Sequence, residues 1–201
     1  MKEVIRLVLG NVFTNTYILK EADHCIIIDP AANPKRILKE VEGLCVDAIC
    51  LTHGHFDHIQ AVDPLVKQLH CNVYISEDDE EMLRDSKKNA SVMAEPFTVK
   101  AAVSHYQPVT KIGPFEFEVI EASGHTKGSV LLLIDDLMFC GDVLFKEGIG
   151  RCDLYGGSFS QMKATLKKIA KIDKDYKIYC GHGENTTLFE EFKNNPYLKE
   201  L

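Results

Sequence analysis

The 201-residue chain has 45% hydrophobic residues and a formal net charge of −7, which is apolar content enough for a sizeable core in one domain. The acidic balance argues against a phosphate-backbone partner, whose affinity rests on clustered Lys and Arg, and no run approaches the ~18 apolar residues of a membrane-spanning helix. Seven cysteines are scattered without a C-x-x-C pair and the charged N-terminus has no apolar h-region, so a reducing, cytoplasmic setting is expected.

In chain order, residues 4–9, 16–20 and 25–29 read as strands separated by turn chemistry at Gly10-Asn11 and Glu21-Ala22-Asp23, close enough to pair as an antiparallel meander. Asn33-Pro34 predicts a helix with Asn as its cap and Pro at its first position; Ile37, Leu38 and Val41 give it an apolar stripe and Gly43 stops it. Residues 46–51 read as a buried strand, followed by a helix to about residue 69, a short strand at 72–75 and a helix at 77–84. Residues 86–114 show no clear period. Beyond them, strands are expected at 115–120, 130–134, 137–140 and 177–180, with helices at 160–172 and at the C-terminus. No Pro/Gly/Ser-rich linker or repeat divides the chain, so residues 1–201 are read as one domain.

One junction concentrates the chemistry. Thr52-His53-Gly54-His55-Phe56-Asp57-His58 stands where the 46–51 strand gives way to a helix, at the carboxyl edge where α/β proteins place their sites. His53 and His55 are two apart, so strand geometry sends both to one side; Asp57 and His58 follow in the first helical turn and face the pocket from another wall. Surface histidines beside a helix start come singly, whereas three imidazoles and a carboxylate within six residues point to metal ligands. A structural zinc site closes a tetrahedron, usually with Cys. The absence of Cys here points to an open, catalytic site.

Three further polar residues follow apolar strands beside glycine: His125 in Gly124-His125-Thr126, Asp142 after Gly141, and His182 between Gly181 and Gly183. Each alone reads equally well as a turn residue; together they supply the ligands that the first stretch lacks. His24, His70 and His105 lack ligand spacing and are read as structural or exposed, with His105 in a loop. The resulting set, His53, His55, Asp57, His58, His125, Asp142 and His182, exceeds the three protein ligands of one catalytic zinc. It fits two divalent ions that share a carboxylate, and His and Asp donors suit zinc, iron and manganese alike.

The Thr-His-x-His-x-Asp-His stretch, with His125, Asp142 and His182 in that order, resembles the metallo-β-lactamase superfamily, and within it the small glyoxalase II-like hydrolases (hydroxyacylglutathione hydrolase-like). Further matching segments are Asn11-Val12-Phe13-Thr14-Asn15-Thr16-Tyr17, Ile28-Asp29-Pro30, Gly150-Arg151-Cys152-Asp153 with Gly156-Gly157, and Asn195-Pro196-Tyr197-Leu198. The resemblance implies an α/β chain folded as a four-layered αβ/βα sandwich with the site at one edge. It implies His53, His55 and His125 on one metal, Asp57, His58 and His182 on a second, and Asp142 bridging both. The implied reaction is attack of a metal-bound hydroxide on a thioester such as S-lactoylglutathione, with Asp57 orienting the nucleophile and shuttling its proton. Arg151 is placed either at a substrate carboxylate or in a turn pair with Asp153.

Departures from the family pattern accompany these matches. Asp142 and the lack of an export signal set the chain apart from true metallo-β-lactamases, and the acidic balance sets it apart from ribonuclease Z-like members. Ile59-Gln60-Ala61 stands where family members often carry glycine, and no separate C-terminal glutathione-binding domain is expected. The same scaffold serves persulfide dioxygenases, which would use a single iron on His53, His125 and Asp142. A non-catalytic metal-binding module is a third reading. The expected partner is a small-molecule thioester, with no nucleic acid and no membrane; the oligomeric state is left open.

Overall fold

A computed structural model describes residues 2–201. The chain opens with β1 (Glu3–Leu9), β2 (Thr14–Glu21) and β3 (His24–Ile28), paired antiparallel as a meander. Helix α1 (Pro34–Glu40) crosses to β4 (Cys45–Cys50), which lies parallel to β3. Helices α2 (Phe56–Ile59) and α3 (Val62–Leu69) lead to β5 (Asn72–Ile75), and α4 (Glu80–Arg84) precedes the short β6 (Ser104–His105), both strands again parallel. These six strands form one sheet in sequence order.

The second sheet comprises β7 (Val109–Ile112), β8 (Phe115–Glu121), β9 (Val130–Ile134) and β10 (Leu137–Gly141), antiparallel to one another. A small hairpin of β11 (Leu144–Phe145) and β12 (Gly148–Ile149) follows, then α5 (Phe159–Ile169) and β13 (Lys177–Cys180), which lies parallel to β10. Strand β14 (Thr186–Thr187) completes the sheet in the order β14-β13-β10-β9-β8-β7, before α6 (Leu188–Asn194) and α7 (Pro196–Lys199).

Side-chain alternation explains the layering. Tyr17, Leu19, Ile26 and Ile28 turn inward to meet Leu132, Ile134, Leu137 and Phe139 of the other sheet. Their neighbours Ile18, Cys25 and Ile27 turn outward, against Ile37 of α1 and Val62 and Leu65 of α3. On the far side, Leu131, Leu133, Met138 and Cys140 pack against Met162, Leu166 and Ile169 of α5 and Leu188 of α6. Both faces of each sheet are therefore covered, which is why the central strands read as continuous apolar runs. The α/β, four-layered αβ/βα sandwich expected from the sequence is the architecture found, with helices outside both sheets. Among the described residues, no helix is long and apolar enough to cross a membrane.

Several boundaries differ from the sequence reading. The helix expected to run to about residue 69 breaks at Ala61, whose N–H donates to Pro30 O at 3.0 Å instead of continuing the ladder; Pro64, with no N–H of its own, sits in the first turn of α3. The C-terminal helix likewise splits where the Asn195 side chain accepts from Tyr197 N and Pro196 restarts the helix. Residues 86–114 hold a 3₁₀ turn at Ser91–Met93, β6 and β7. His105 is thus in an edge strand rather than a loop, with Nε2 2.7 Å from Glu80 Oε2.

Candidate metal centre

The seven candidate side chains meet at the carboxyl ends of β4, β10 and β13. Past β4, His53 and His55 point into the gap between the sheets and His58 follows from α2; all three are buried. Asp142 follows β10 and His182 follows β13, while His125 comes from the β8–β9 connection. Glycine is required where these ends crowd together. A Cβ at Gly181 would lie 2.0 Å from Asp142 Oδ1, and one at Gly141, where φ is +48°, would lie 2.2 Å from Thr52 Oγ1.

Two clusters form around Asp142. The rings of His53, His55 and His125 stand edge to face, with centroids 4.9 Å (His53–His55), 4.7 Å (His53–His125) and 4.6 Å (His55–His125) apart. Asp57, His58 and His182 form the second group: His182 Nε2 lies 3.1 Å and His58 Nε2 3.5 Å from Asp57 Oδ2. Within each group, one donor atom per residue lies within 4.8 Å of the others. Between them, Asp142 Oδ1 is 3.4 Å from His58 Nε2, and its Oδ2 is 3.6 Å from His125 Nε2 and 3.5 Å from His182 Nε2.

Hydrogen bonds behind the rings fix which nitrogen faces the gap. Thr52 Oγ1 donates to Asp29 Oδ2 (2.6 Å) and is left to accept from His53 Nδ1 at 3.1 Å. His58 Nδ1 donates to the same Asp29 oxygen at 2.9 Å. His125 Nδ1 donates to Arg151 O (2.7 Å), and His182 Nδ1 donates to Val12 O (3.1 Å). Each of these rings therefore turns Nε2 inward, the outer support typical of histidine ligands.

That arrangement tests whether metal suits the site. His53 Nε2, His55 Nε2, His58 Nε2 and Asp142 Oδ1 are buried without any hydrogen-bond partner, a costly state for polar atoms unless something else binds them. His55 Nδ1 and His125 Nε2 are 2.8 Å apart, a separation that needs a proton or a cation between them. Harder and borderline divalent ions fit this nitrogen and oxygen donor set.

The electrostatics differ between the groups. Burial, and then the neighbouring His58, His125 and His55, push His53 well below the ordinary histidine value; burial and His125 bring His55 down to about 3. Burial also opposes the charge on His58, but Asp57, Asp142 and Asp29 together raise it well above 6.5. For His182, burial is outweighed by hydrogen bonds to Asp142 and Asp57, which raise it to about 9. Asp57 and Asp142 resist burial because the facing His58 and His182 hold both below the usual carboxylate range.

Besides Asp29, three further supports lie outside the sequence-derived set. Asp79, fully buried, accepts from Gly54 N at 3.0 Å, Thr126 Oγ1 at 2.7 Å and Gly128 N at 2.7 Å, tying the His53–His55 turn to the His125 loop. Its place in the run Glu77-Asp78-Asp79-Glu80-Glu81 gave no signal, since such runs read as solvated helix starts. Thr14 Oγ1 donates to Asp57 Oδ2 at 2.8 Å, and Asn15 Nδ2 donates to Cys180 O and Gly183 O. The opening Thr14-Asn15 pair thus clamps the His182 loop onto the first sheet.

The centre opens into a cavity of about 380 Å³, within the size range of small-ligand sites. Val12, Phe56, Ala90, Met93, Ala94 and Leu154 form its apolar wall, so part of the 86–114 segment lines the entrance. Arg151 also lines it, but its Nε and Nη2 donate to Asp153 Oδ1 and Oδ2 at 2.7 and 2.8 Å.

The profile of the Metallo-beta-lactamase superfamily matches residues 9–182. The chain is 34% identical to "Probable metallo-hydrolase YqgX" of Bacillus subtilis over 96% of both chains. It is 35% identical to "Hydroxyacylglutathione hydrolase" of Psychromonas ingrahamii, covering 90% of this chain and 67% of that one. A shorter relative, "Hydroxyacylglutathione hydrolase GloC" of Haemophilus influenzae, is 30% identical over 86% of each. Among solved structures, BLEG-1 B3 metallo-beta-lactamase superposes with a TM-score of 0.93 at 33% identity, covering 98% of this chain and 99% of that one. TTHA1623 in a di-iron-bound form superposes at 0.85 with 30% identity, covering 96% and 100%. A protein described as a lactamase is thus as similar as the hydrolases, a closeness that Asp142 alone does not foretell.

Proposed function

The chain belongs to the metallo-β-lactamase superfamily, and from that premise we propose that it is a binuclear metallohydrolase acting on small thioesters of the S-lactoylglutathione type. One observation carries the reading: two triads of donors share the carboxylate of Asp142, with buried nitrogens left unpartnered between them. In this reading His53, His55 and His125 would hold one divalent ion and Asp57, His58 and His182 the other, with Asp142 available to both. Zinc is the first expectation, and the di-iron neighbour keeps iron open beside manganese.

Such ions supply a nucleophilic hydroxide at neutral pH and polarise the scissile carbonyl. The residues of the chain do the positioning. Asp57 Oδ2, held by the Thr14 hydroxyl and facing His182, orients the attacking water and takes up its proton. Val12, Met93 and Leu154 offer an apolar wall for the acyl group to pack against. A departing thiolate, with an ordinary thiol pKa near ~8.5, needs no strong general acid. Support for a thioester comes from the two relatives named hydroxyacylglutathione hydrolase; GloC is covered to 86% of its length, so the proposal does not require a further domain.

The test is loss of the thioester absorbance of S-lactoylglutathione, followed with the metal-stripped chain reloaded with zinc, iron or manganese. Metal-dependent turnover that exceeds turnover of a chromogenic β-lactam supports the proposal; a preference for the β-lactam would sink it. Oxygen consumption with a glutathione persulfide by the iron form, without thioester hydrolysis, would move the assignment to a single-iron dioxygenase on His53, His125 and Asp142. Bound metal with no turnover in any assay would leave a non-catalytic metal-binding module.

A further inference from the structure

A second group of metal donors lies at the opposite end of the first sheet. His24 opens β3 and Cys45 opens β4, and the two are direct partners in the parallel pairing. Register then slips: Cys25 pairs with Val46, but Ile26 pairs with Ala48, leaving Asp47 as the extra residue of a bulge. In a regular strand Val46 and Ala48 would share a face. Here Val46 packs on the helix side and Ala48 in the core between the sheets.

The bulge therefore turns Asp47 to the side already occupied by His24, whose strand-mates Ile26 and Ile28 face the other sheet. Bulges are a recurrent means of re-aiming a side chain. The Asp47 carboxylate tucks under Gly113 in the β7–β8 turn, where an added Cβ would come within 2.4 Å of it. Its oxygens lie 2.9 and 3.1 Å from His24 Nδ1, and Cys45 Sγ lies 4.0 Å from Asp47 Oδ1. One donor atom from each of the three residues lies within 4.8 Å of the other two.

We propose that His24, Cys45 and Asp47 form a separate binding site for a borderline-soft divalent ion such as zinc, outside the hydrolytic centre. Thiolate, imidazole and carboxylate together suit zinc or cobalt better than magnesium or calcium. In a tetrahedral site with Zn–S near ~2.3 Å and Zn–N near ~2.0 Å, donors stand roughly 3.3–3.5 Å apart, so the three need only side-chain rotation to close on an ion. Three protein donors leave the fourth position to water. Cys45 is exposed, whereas the other six cysteines are buried or half-buried, so the ion has access. Five residue steps along β4 lead from Cys45 to Cys50, placing the site about 17 Å along the strand from the edge that carries His53.

Sulfur makes the test selective, because the hydrolytic centre contains none. The metal-stripped full-length chain, kept reduced, is titrated with cobalt(II) while the thiolate-to-cobalt charge-transfer absorbance is followed. A saturable band is expected, with one more equivalent bound than the hydrolytic centre takes. Cys45→Ser removes the band; His24→Ala and Asp47→Asn weaken cobalt binding at it by at least about tenfold, the scale of lost support at a metal site. Cys71→Ser and Cys152→Ser leave it intact. Circular dichroism of each variant separates loss of the site from loss of fold. Absence of the band in the wild-type chain overturns the proposal. So does a band that depends on Cys45 but keeps its affinity in both the His24 and Asp47 variants, since that is the behaviour of a lone surface thiol.

Discussion

His53, His55 and His125 press together with no carboxylate among them, and His53 and His55 are held far below neutral titration by burial and by one another. Across Asp142, His58 and His182 face Asp57 and keep their protons. In the metal-free chain the second group is neutralised internally, with protons standing where a cation would. The first group has only the proton shared between His55 Nδ1 and His125 Nε2, 2.8 Å apart. A dication entering the histidine group would displace at most that one proton, whereas in the carboxylate group it would have to displace those of His58 and His182. The expected consequence is two unequal metal affinities from one nearly symmetrical cage.

Removing the shared carboxylate breaks the comparison most severely. Asp142→Ala should abolish binding of the second ion and lower thioester turnover by roughly 10³-fold or more, on the scale of lost transition-state electrostatics. Metal analysis of the dialysed variant checks it, and two tightly retained ions would reject the bridge. Asp57→Asn is the next largest change. It should keep much of the metal but cost about 10²–10⁴-fold in kcat, the usual weight of a proton-transfer group; wild-type turnover would remove Asp57 from that role.

Asp79 serves the histidine group from behind, so it sharpens the contrast. Asp79→Asn sets an amide N–H against Gly54, Gly128 or Thr126, all of which donate to this carboxylate. The expected loss is about 10–100-fold in affinity for the first ion or in activity, with roughly 1–3 kcal/mol of stability. Equilibrium unfolding read beside metal titration separates the two. If the second ion alone is weakened, the assignment of Asp79 to the histidine group fails.

Acidity distinguishes the groups without mutation. His182 is raised to about 9 from 6.5, so each proton displaced by metal strengthens binding about tenfold per pH unit up to pH 9. His55, brought down to about 3, offers no such competition above that pH. Acidification from pH 9 to 6 should thus reduce the bound metal from two ions toward one, read by calorimetry or metal analysis at each pH. In the metal-free chain the raised His182 contributes stability that is complete below pH 6.5 and lost as pH rises through about 9. The depressed His55 contributes stability present above pH 6.5 and lost as pH falls toward 3. Simultaneous loss of both ions would contradict the unequal protonation.

The layers and the placement of the seven polar residues were legible because they rest on short-range rules: alternation, glycine at strand ends, and two histidines spaced for one face. Asp79 was not, because its meaning comes from Gly54 and Gly128, neither near it in sequence. The breaks at Ala61 and Asn195 were missed for different reasons. Ala61 is interrupted by a distant carbonyl, that of Pro30, which no local pattern foretells. Asn195-Pro196 repeats the Asn33-Pro34 helix start and was readable by the same rule. The Asp47 bulge is likewise invisible in sequence, since a one-residue slip appears only once β3 and β4 are paired.

Arg151 tests whether the contrast extends to the substrate, and its effect should be the smallest. Arg151 lines the cavity with His125, whose Nδ1 donates to the Arg151 carbonyl, so the backbone of this residue serves the histidine group whatever the side chain does. The side chain is occupied by a two-point pair with Asp153, which the Arg151 hydrogen bond brings down to about 2. That pair is solvent-exposed, so exchanging it for a substrate carboxylate gains little. Arg151→Ala should leave kcat unchanged and raise KM by no more than about fivefold for an anionic thioester. For a neutral thioester KM should stay constant. Equal KM changes for both substrates would show that the side chain only holds the 151–153 turn, and a large fall in kcat would mean that losing the pair disturbs His125 through the shared backbone.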